Sequence, residues 1–251
     1  TGSPGAGKSS LAAALADVAR AGGRRVAILA IDPSSHESGG ALLGDRVRID
    51  EHPDDDGRFT RSIATRGSGR SLAHVAAAAT ILVEAAGFDL IFVETVGAGQ
   101  AEIGIARLAD VLLVVEGPEG GDEVQAMKAG LLESAHLVVV NKSDRPGADR
   151  AVERLRSGLA LGHDAPEVLL ASAVDGGGVA ELLTALEGLA VTRSGGGLQR
   201  RIAAHLAAAV EARAAQRLRD ADSDGRLAAL AQSIATGARP LSGAVDELLK
   251  G

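Results

Sequence analysis

Residues 2–9 read Gly2-Ser3-Pro4-Gly5-Ala6-Gly7-Lys8-Ser9 and satisfy G-x-x-x-x-G-K-[ST] at every constrained position. Glycines at these places let backbone N–H groups curl around phosphate oxygens, where a Cβ would intrude. Lys8 has the reach to touch β- and γ-phosphates, and the Ser9 hydroxyl is a ligand for Mg²⁺. Gly2, Gly5, Ala6, Gly7, Lys8, Ser9 and Ser10 are therefore the candidate phosphate contacts. Lys8–Ala21 reads as an Ala- and Leu-rich helix, so the phosphates would sit at its positive end. The competing reading is a glycine-rich turn that precedes a helix by chance.

Carboxylates close two apolar runs. Asp32 follows Val26–Ile31, and Glu94 follows Leu90–Val93 and opens Glu94-Thr95-Val96-Gly97. An acidic residue in that place can hold Mg²⁺ directly or through water, and Gly97 lets its N–H approach the γ-phosphate. Asp45, in Gly44-Asp45-Arg46, is a third carboxylate on a segment able to close over the metal. Mg²⁺ prefers few carboxylates plus phosphate oxygens and water, so the three are not all expected in direct contact. The metal set is thus Ser9, Asp32, Asp45 and Glu94, with Lys8, Glu94 and Gly97 the candidates for catalysis. As isolated features, Asp32 could equally be a solvated strand end and Asp45 a solvated loop residue.

Asn141-Lys142-Ser143-Asp144 follows the apolar run Leu137–Val140. An Asp carboxylate there can accept from guanine N1–H and the 2-amino group. Adenine offers neither donor and would leave the carboxylate unpaired, which is how a polar site discriminates strongly. The Lys142 stem can lie over the base, Asn141 can tie this loop to the phosphate loop, and a backbone N–H of Ser172-Ala173 could meet guanine O6. Four residues of this type arise by chance in polar loops; their order after a phosphate loop and at a strand end makes them specific. GTP or GDP is accordingly the expected nucleotide. Among 26 basic residues only Lys8, Lys128, Lys142 and Lys250 are lysines, and two of them fall inside the nucleotide motifs. A compact ammonium on an unbranched stem is what those two places require.

Positioning such residues takes a sheet. Short β-branched and aliphatic runs at Val26–Ile31, Leu90–Val93, Val111–Val115, Leu137–Val140 and Val168–Leu170 predict strands buried on both faces. Helices are expected between them at Ser71–Ala86, Asp122–Ser134, Asp149–Leu161 and Val179–Leu189. This alternation predicts an α/β fold with a mostly parallel sheet flanked by helices, its ligands beyond the carboxyl ends of the strands. From Leu198 the pattern is helical only, ending in a short helix or arm at Leu241–Lys250. The run Gly195-Gly196-Gly197 marks the boundary between a phosphate-loop domain over 1–194 and a helical extension over 195–251. A phosphate loop normally follows a buried strand, and only Thr1 precedes this one, so the first strand and anything upstream are expected to be missing.

Composition narrows the partners. The 251 residues are 46% hydrophobic and 24% charged with a formal charge of −7, an ordinary globular balance on the acidic side. Three Phe with no Trp or Tyr leave little for nucleobases to stack on, so no nucleic-acid partner is expected. Zero Cys removes disulfides and thiolate metal sites and fits a reducing compartment. No apolar run reaches the ~18 residues of a membrane span, so the expectation is a cytoplasmic protein without membrane insertion.

Taken together, the phosphate loop, Asp32-Pro33-Ser34-Ser35, the run Gly39–Arg46, Ala64-Thr65-Arg66-Gly67, Glu94-Thr95-Val96-Gly97-Ala98-Gly99-Gln100 and Asn141-Lys142-Ser143-Asp144 resemble the methylmalonyl-CoA-mutase-associated GTPases, also called ArgK-type or LAO/AO transport kinases. The likeness continues through Gly121–Gly130, similar to that family's mutase-sensing third switch, and into the C-terminal arm. The resemblance implies a Mg²⁺-dependent GTP-hydrolysing chaperone that gates loading or protection of adenosylcobalamin on an acyl-CoA mutase and forms a homodimer. It implies that Asp122, Glu123 and Lys128 belong to the partner-responsive switch. Gln100 lies six residues after Glu94 and is assigned no attacking water, while Arg48 and Arg66 are either transition-state cations or plain surface residues. The chain departs from the family pattern at His36-Glu37-Ser38, at Ala98 and Ala101, and at Gly67–Ser71. Three rivals remain: a nickel-insertion GTPase, a nucleotide-dependent kinase or ATPase linked to amino-acid transport, and a non-enzymatic interaction module that retains a nucleotide fold, which intact Lys8, Ser9 and Glu94 disfavour. The first lacks cysteine ligands here, and Asp144 speaks against ATP in the second.

Overall fold

A computed structural model describes residues 1–33, 55–65, 69–95, 105, 108–119, 132, 134–160, 165–193 and 197–250. Among them are six strands, β1 Val26–Pro33, β2 Arg58–Thr65, β3 Leu90–Thr95, β4 Leu113–Glu116, β5 Leu137–Val140 and β6 Glu167–Leu170. The helices are α1 Lys8–Ala21, α2 Gly69–Ala85, α3 Ala148–Leu159, α4 Val179–Arg193, α5 Gly197–Ser223, α6 Arg226–Ala235 and α7 Leu241–Lys250. One unit comprises Thr1–Ala204 and a second His205–Gly251. That division falls within α5, Gly197–Ser223.

Every pairing among the described strands is parallel, in keeping with the mostly parallel sheet expected. The strands form two triplets, β2-β1-β3 and β4-β5-β6. Between the triplets, residues entering the phosphate loop run along β4: Gly2 bridges Val115, and Val115 N–H donates to Thr1 O at 2.8 Å. Strand β2 was not anticipated. Its sequence alternates Arg58, Thr60 and Ser62 with Phe59, Arg61 and Ile63, so it lacks the continuous apolar run of its neighbours. Pairing with β1 along its whole length, Val26 opposite Arg58 through Pro33 opposite Thr65, overrides that weak pattern.

β1 alternates its side chains between two helical layers. Val26 and Ile28 join Leu11, Leu15, Ala16 and Ala19 of α1 and Val179, Leu182, Leu183 and Leu186 of α4. The same cluster takes in Val115 of β4 and Leu137 and Val139 of β5, so α1 straddles both triplets. Each fully buried leucine on that seam contributes on the order of 1.5–3 kcal/mol. Ala27, Leu29 and Ile31 face Ala76, Ala77 and Val83 of α2 instead. On the opposite face of β4, β5 and β6, Val114, Val138, Val140 and Val168 pack against Ala148, Ala151 and Val152 of α3. Two of the three phenylalanines lock the start of the β1–β3 sheet. Arg25 lies 4.5 Å over the Phe88 ring and donates to Ala86 O and Gly87 O, covering carbonyls at the end of α2.

Candidate functional site at the strand ends

The phosphate loop is held by backbone geometry that only glycine tolerates. Gly2 has φ 140°, and a Cβ there would stand 1.9 Å from Val115 O. Gly7 has φ 84°, and a Cβ there would stand 2.5 Å from Asn141 Nδ2. Helix α1 starts immediately after Gly7 with no side-chain cap and no acidic residue in its first turn. Its positive end is thereby left to an anion. Lys8 Nζ donates to Gly2 O at 3.1 Å and Ser3 O at 3.0 Å, which folds the ammonium back across the mouth of the loop. Ser10 is exposed on the first turn of the helix.

Glu94, at the carboxyl end of β3, is 8% exposed. Ser9 Oγ donates to Glu94 Oε1 at 2.5 Å, joining the first turn of α1 to the carboxyl end of β3. A hydroxyl and a carboxylate meeting beside a helix N-terminus form a pair of hard oxygens that suits Mg²⁺, the remaining positions falling to phosphate and water. Asp32 occupies the carboxyl end of β1, opposite Ala64 and two residues beyond the Ala30–Glu94 pair. Asp45 and Gly97 lie outside the described residues, as do Arg48, Arg66, Gln100, Asp122, Glu123 and Lys128. Among the described residues no group of three or more His, Asp or Glu gathers in metal-ligand geometry.

The base loop is joined to the phosphate loop through Asn141, which is 1% exposed. Its Nδ2 donates to Ala6 O at 2.8 Å and Gly7 O at 3.3 Å, and its Oδ1 accepts from Ala173 N at 3.1 Å. The Ala173 N–H, expected to face guanine O6, is directed at Asn141 in this arrangement. Lys142 adopts φ 64°, unusual for a residue with a Cβ, and its Nζ donates to Gly5 O at 2.5 Å. The strained backbone and that bond lay its aliphatic stem across the phosphate loop. Exposed Asp144 is oriented by buried Ser172, whose Oγ donates to Asp144 Oδ1 at 2.8 Å.

The turn behind Ser172 is itself tied down. Gly176 N–H donates to Ser172 O, Ser172 N–H to Gly177 O, and Gly177 N–H to Asp175 Oδ1 at 3.0 Å. That last bond, with the Ser172 hydroxyl second, holds the exposed Asp175 carboxyl below its usual range.

Glu116 was not singled out by the sequence reading. It closes β4, is 4% exposed, and accepts from Ser3 Oγ at 2.5 Å. The signal was present, since it ends an apolar run just as Glu94 does.

The comparisons with known proteins follow the same lines. A protein of Pyrococcus abyssi named as a GTPase is 49% identical over 164 residues, 65% of this chain and 51% of that protein. The chain therefore spans about half the length of such a relative. A Caulobacter vibrioides protein named as a GTPase is 37% identical over 262 residues, covering 99% of this chain and 80% of its own. The mouse methylmalonic aciduria type A homolog, named as mitochondrial, is 41% identical over 144 residues, 57% of this chain and 35% of that protein. Among solved structures, an LAO/AO transport system kinase superposes with TM-score 0.62 at 26% identity over 100% of this chain and 79% of its own. HypB from Helicobacter pylori, solved in complex with nickel, reaches TM-score 0.51 at 19% identity over 76% of this chain and 85% of its own, a likeness of fold alone. Residues 1–225 match the family described as Methylmalonyl Co-A mutase-associated GTPase MeaB. With the phosphate loop, the Glu94 carboxylate and the base loop meeting at the start of α1, the chain belongs to that family of P-loop GTPases.

Proposed function

We propose that this protein binds Mg²⁺ with GTP, hydrolyses the nucleotide to GDP and phosphate, and uses the cycle to gate adenosylcobalamin loading or protection on an acyl-CoA mutase. The observation that carries the nucleotide part is Asn141, whose amide joins Ala6 of the phosphate loop to Ala173 beside the Ser172–Asp144 pair. A ligand gripped at the phosphate loop and read at Asp144 must carry phosphates at one end and a hydrogen-bonding base at the other. Guanine offers the two donors that a carboxylate accepts.

In this reading Gly2, Gly5, Ala6, Gly7 and Ser10 bring backbone amides to the phosphates, and Lys8 neutralises the β- and γ-oxygens. Ser9 and Glu94 hold the magnesium site, with Asp32 and Asp45 supplying carboxylates around it and Gly97 meeting the γ-phosphate. Bound Mg²⁺ would neutralise charge that develops on the transferred phosphoryl group. The rest of the catalysis is positioning, with water as nucleophile.

The mutase part rests on the family description and on the name of the mouse relative. Homodimer formation is supported by exposed Leu241, Val245 and Leu249, spaced four residues apart on α7. A cytoplasmic location accords with a cysteine-free chain and with the finding that no described helix is long and apolar enough to cross a membrane.

Immobilised full-length protein loaded with GTP or GDP and presented with an adenosylcobalamin-dependent mutase tests the chaperone reading. Retention that differs between the two states is expected. Equal failure in both would remove the mutase as partner and leave the nucleotide reading standing.

A further inference from the structure

Glu116 is a buried acid beneath a loop built to take an anion, and the mechanism above gives it no task. Its surroundings are specific. The carboxylate accepts from Ser3 Oγ at 2.5 Å, while Ser3 N–H donates to Val115 O at 3.2 Å, so both ends of Ser3 are fixed to the tip of β4. Ser3 O in turn accepts from Lys8 Nζ. On the other side, Glu116 O accepts from Asn141 N at 2.8 Å, and the Asn141 amide reaches Ala6 and Gly7 at the far end of the loop. The backbone just past Glu116 passes under Ala6, whose Cα would stand 3.9 Å from a Cβ on Gly117. One residue thus touches the entry of the phosphate loop through its side chain and the exit through Asn141.

We propose that Glu116 is a positioning residue for nucleotide binding: its carboxylate fixes Ser3 so that the loop presents Lys8 and its amides in one arrangement. A carboxylate is suited to this because a charge-assisted O–H···O bond is short and directional. Its burial is tolerated only because the charge is hydrogen-bonded. The inference rests on the GTP-binding reading and names a further residue for it.

Calorimetric titration of the full chain with Mg²⁺·GTP and with GDP tests the proposal, using Glu116→Ala, Glu116→Gln and the double variant Ser3→Ala/Glu116→Ala, with thermal unfolding in parallel. Glu116→Ala strands a buried hydroxyl, so it is expected to lower stability and to raise both dissociation constants about tenfold. Glu116→Gln keeps an acceptor for Ser3 and is expected to return both to within about threefold of wild type. The double variant removes the stranded hydroxyl, and it is expected to regain thermal stability while its affinities stay low. A double variant with wild-type affinity would show the pair to be packing only and overturn the proposal, as would Glu116→Gln binding as poorly as Glu116→Ala. Wild-type protein that binds neither nucleotide would instead sink the GTP reading itself.

Discussion

Asn141 is satisfied at both ends of its amide, donating to Ala6 O and Gly7 O on one side and accepting from Ala173 N–H on the other. An isosteric Asp would present an acceptor to carbonyls and repel them. In Asn141→Ala the buried Ala6 carbonyl loses its partner, at about 1–3 kcal/mol, and the half-buried Ala173 N–H loses its acceptor at a smaller cost. Urea unfolding should show that loss as a lower midpoint, and guanine-nucleotide affinity should fall with it. Unchanged stability would mean that water replaces the amide. Asp175 adds a pH dependence at the same scale. Its folded pKa lies below the ordinary value of about 4, chiefly through the Gly177 N–H and then the Ser172 hydroxyl. Its contribution to stability is therefore present above that ordinary value and is lost as pH falls through the lowered folded one. The stability difference between wild type and Asp175→Ala should shrink across that acid window. A difference that stays constant through it would contradict the assignment.

The elements meet where glycine makes room for them. Gly7 separates loop from helix α1; its φ is positive, and a Cβ there would stand 2.5 Å from Asn141 Nδ2, which leaves no place for a methyl group. Gly7→Ala should unseat Asn141 and abolish nucleotide binding, measured by titration, while α1 stays anchored by Leu11 and Leu15. Much of this level was legible in the sequence. Runs such as Leu137–Val140 are apolar on both faces because helices cover both, and that leaves an unbroken pattern to read. β2 was not legible, because Arg58, Thr60, Arg61 and Ser62 hide a strand whose existence depends on pairing with β1. The division into two strand triplets was also hidden, since it depends on how residues 1–3 lie along β4 and not on any local pattern. At the site, motif spacing singled out Lys8, Ser9, Asn141 and Asp144 as candidates, and the hydrogen bonds show how the fold holds each of them. The Ser3–Glu116 bond joins residues 113 positions apart, and no spacing rule connects them.

At the scale of the whole molecule, the site is a seam: α1 packs against strands of both triplets, and among the described residues Glu94 and Asn141, at two different strand ends, both reach the start of that helix. In the second unit, α7 presents Leu241, Val245 and Leu249 to solvent, a spacing that lines one helix face. If that face joins two copies, Leu241→Glu with Val245→Glu should shift the sedimentation of the protein from dimer to monomer and leave nucleotide affinity unchanged. Wild-type protein that already sediments as a monomer would contradict the dimer. The nucleotide is the centre of the account, and calorimetric titration of the full chain in the presence of Mg²⁺ tests it most directly. GTP should bind at least about a hundredfold more tightly than ATP, the discrimination expected when a site shaped to hydrogen-bond one base meets a base without its donors, and Asp144→Ala should erase most of that difference. Equal affinity for the two nucleotides, or a GTP preference untouched by Asp144→Ala, would contradict it.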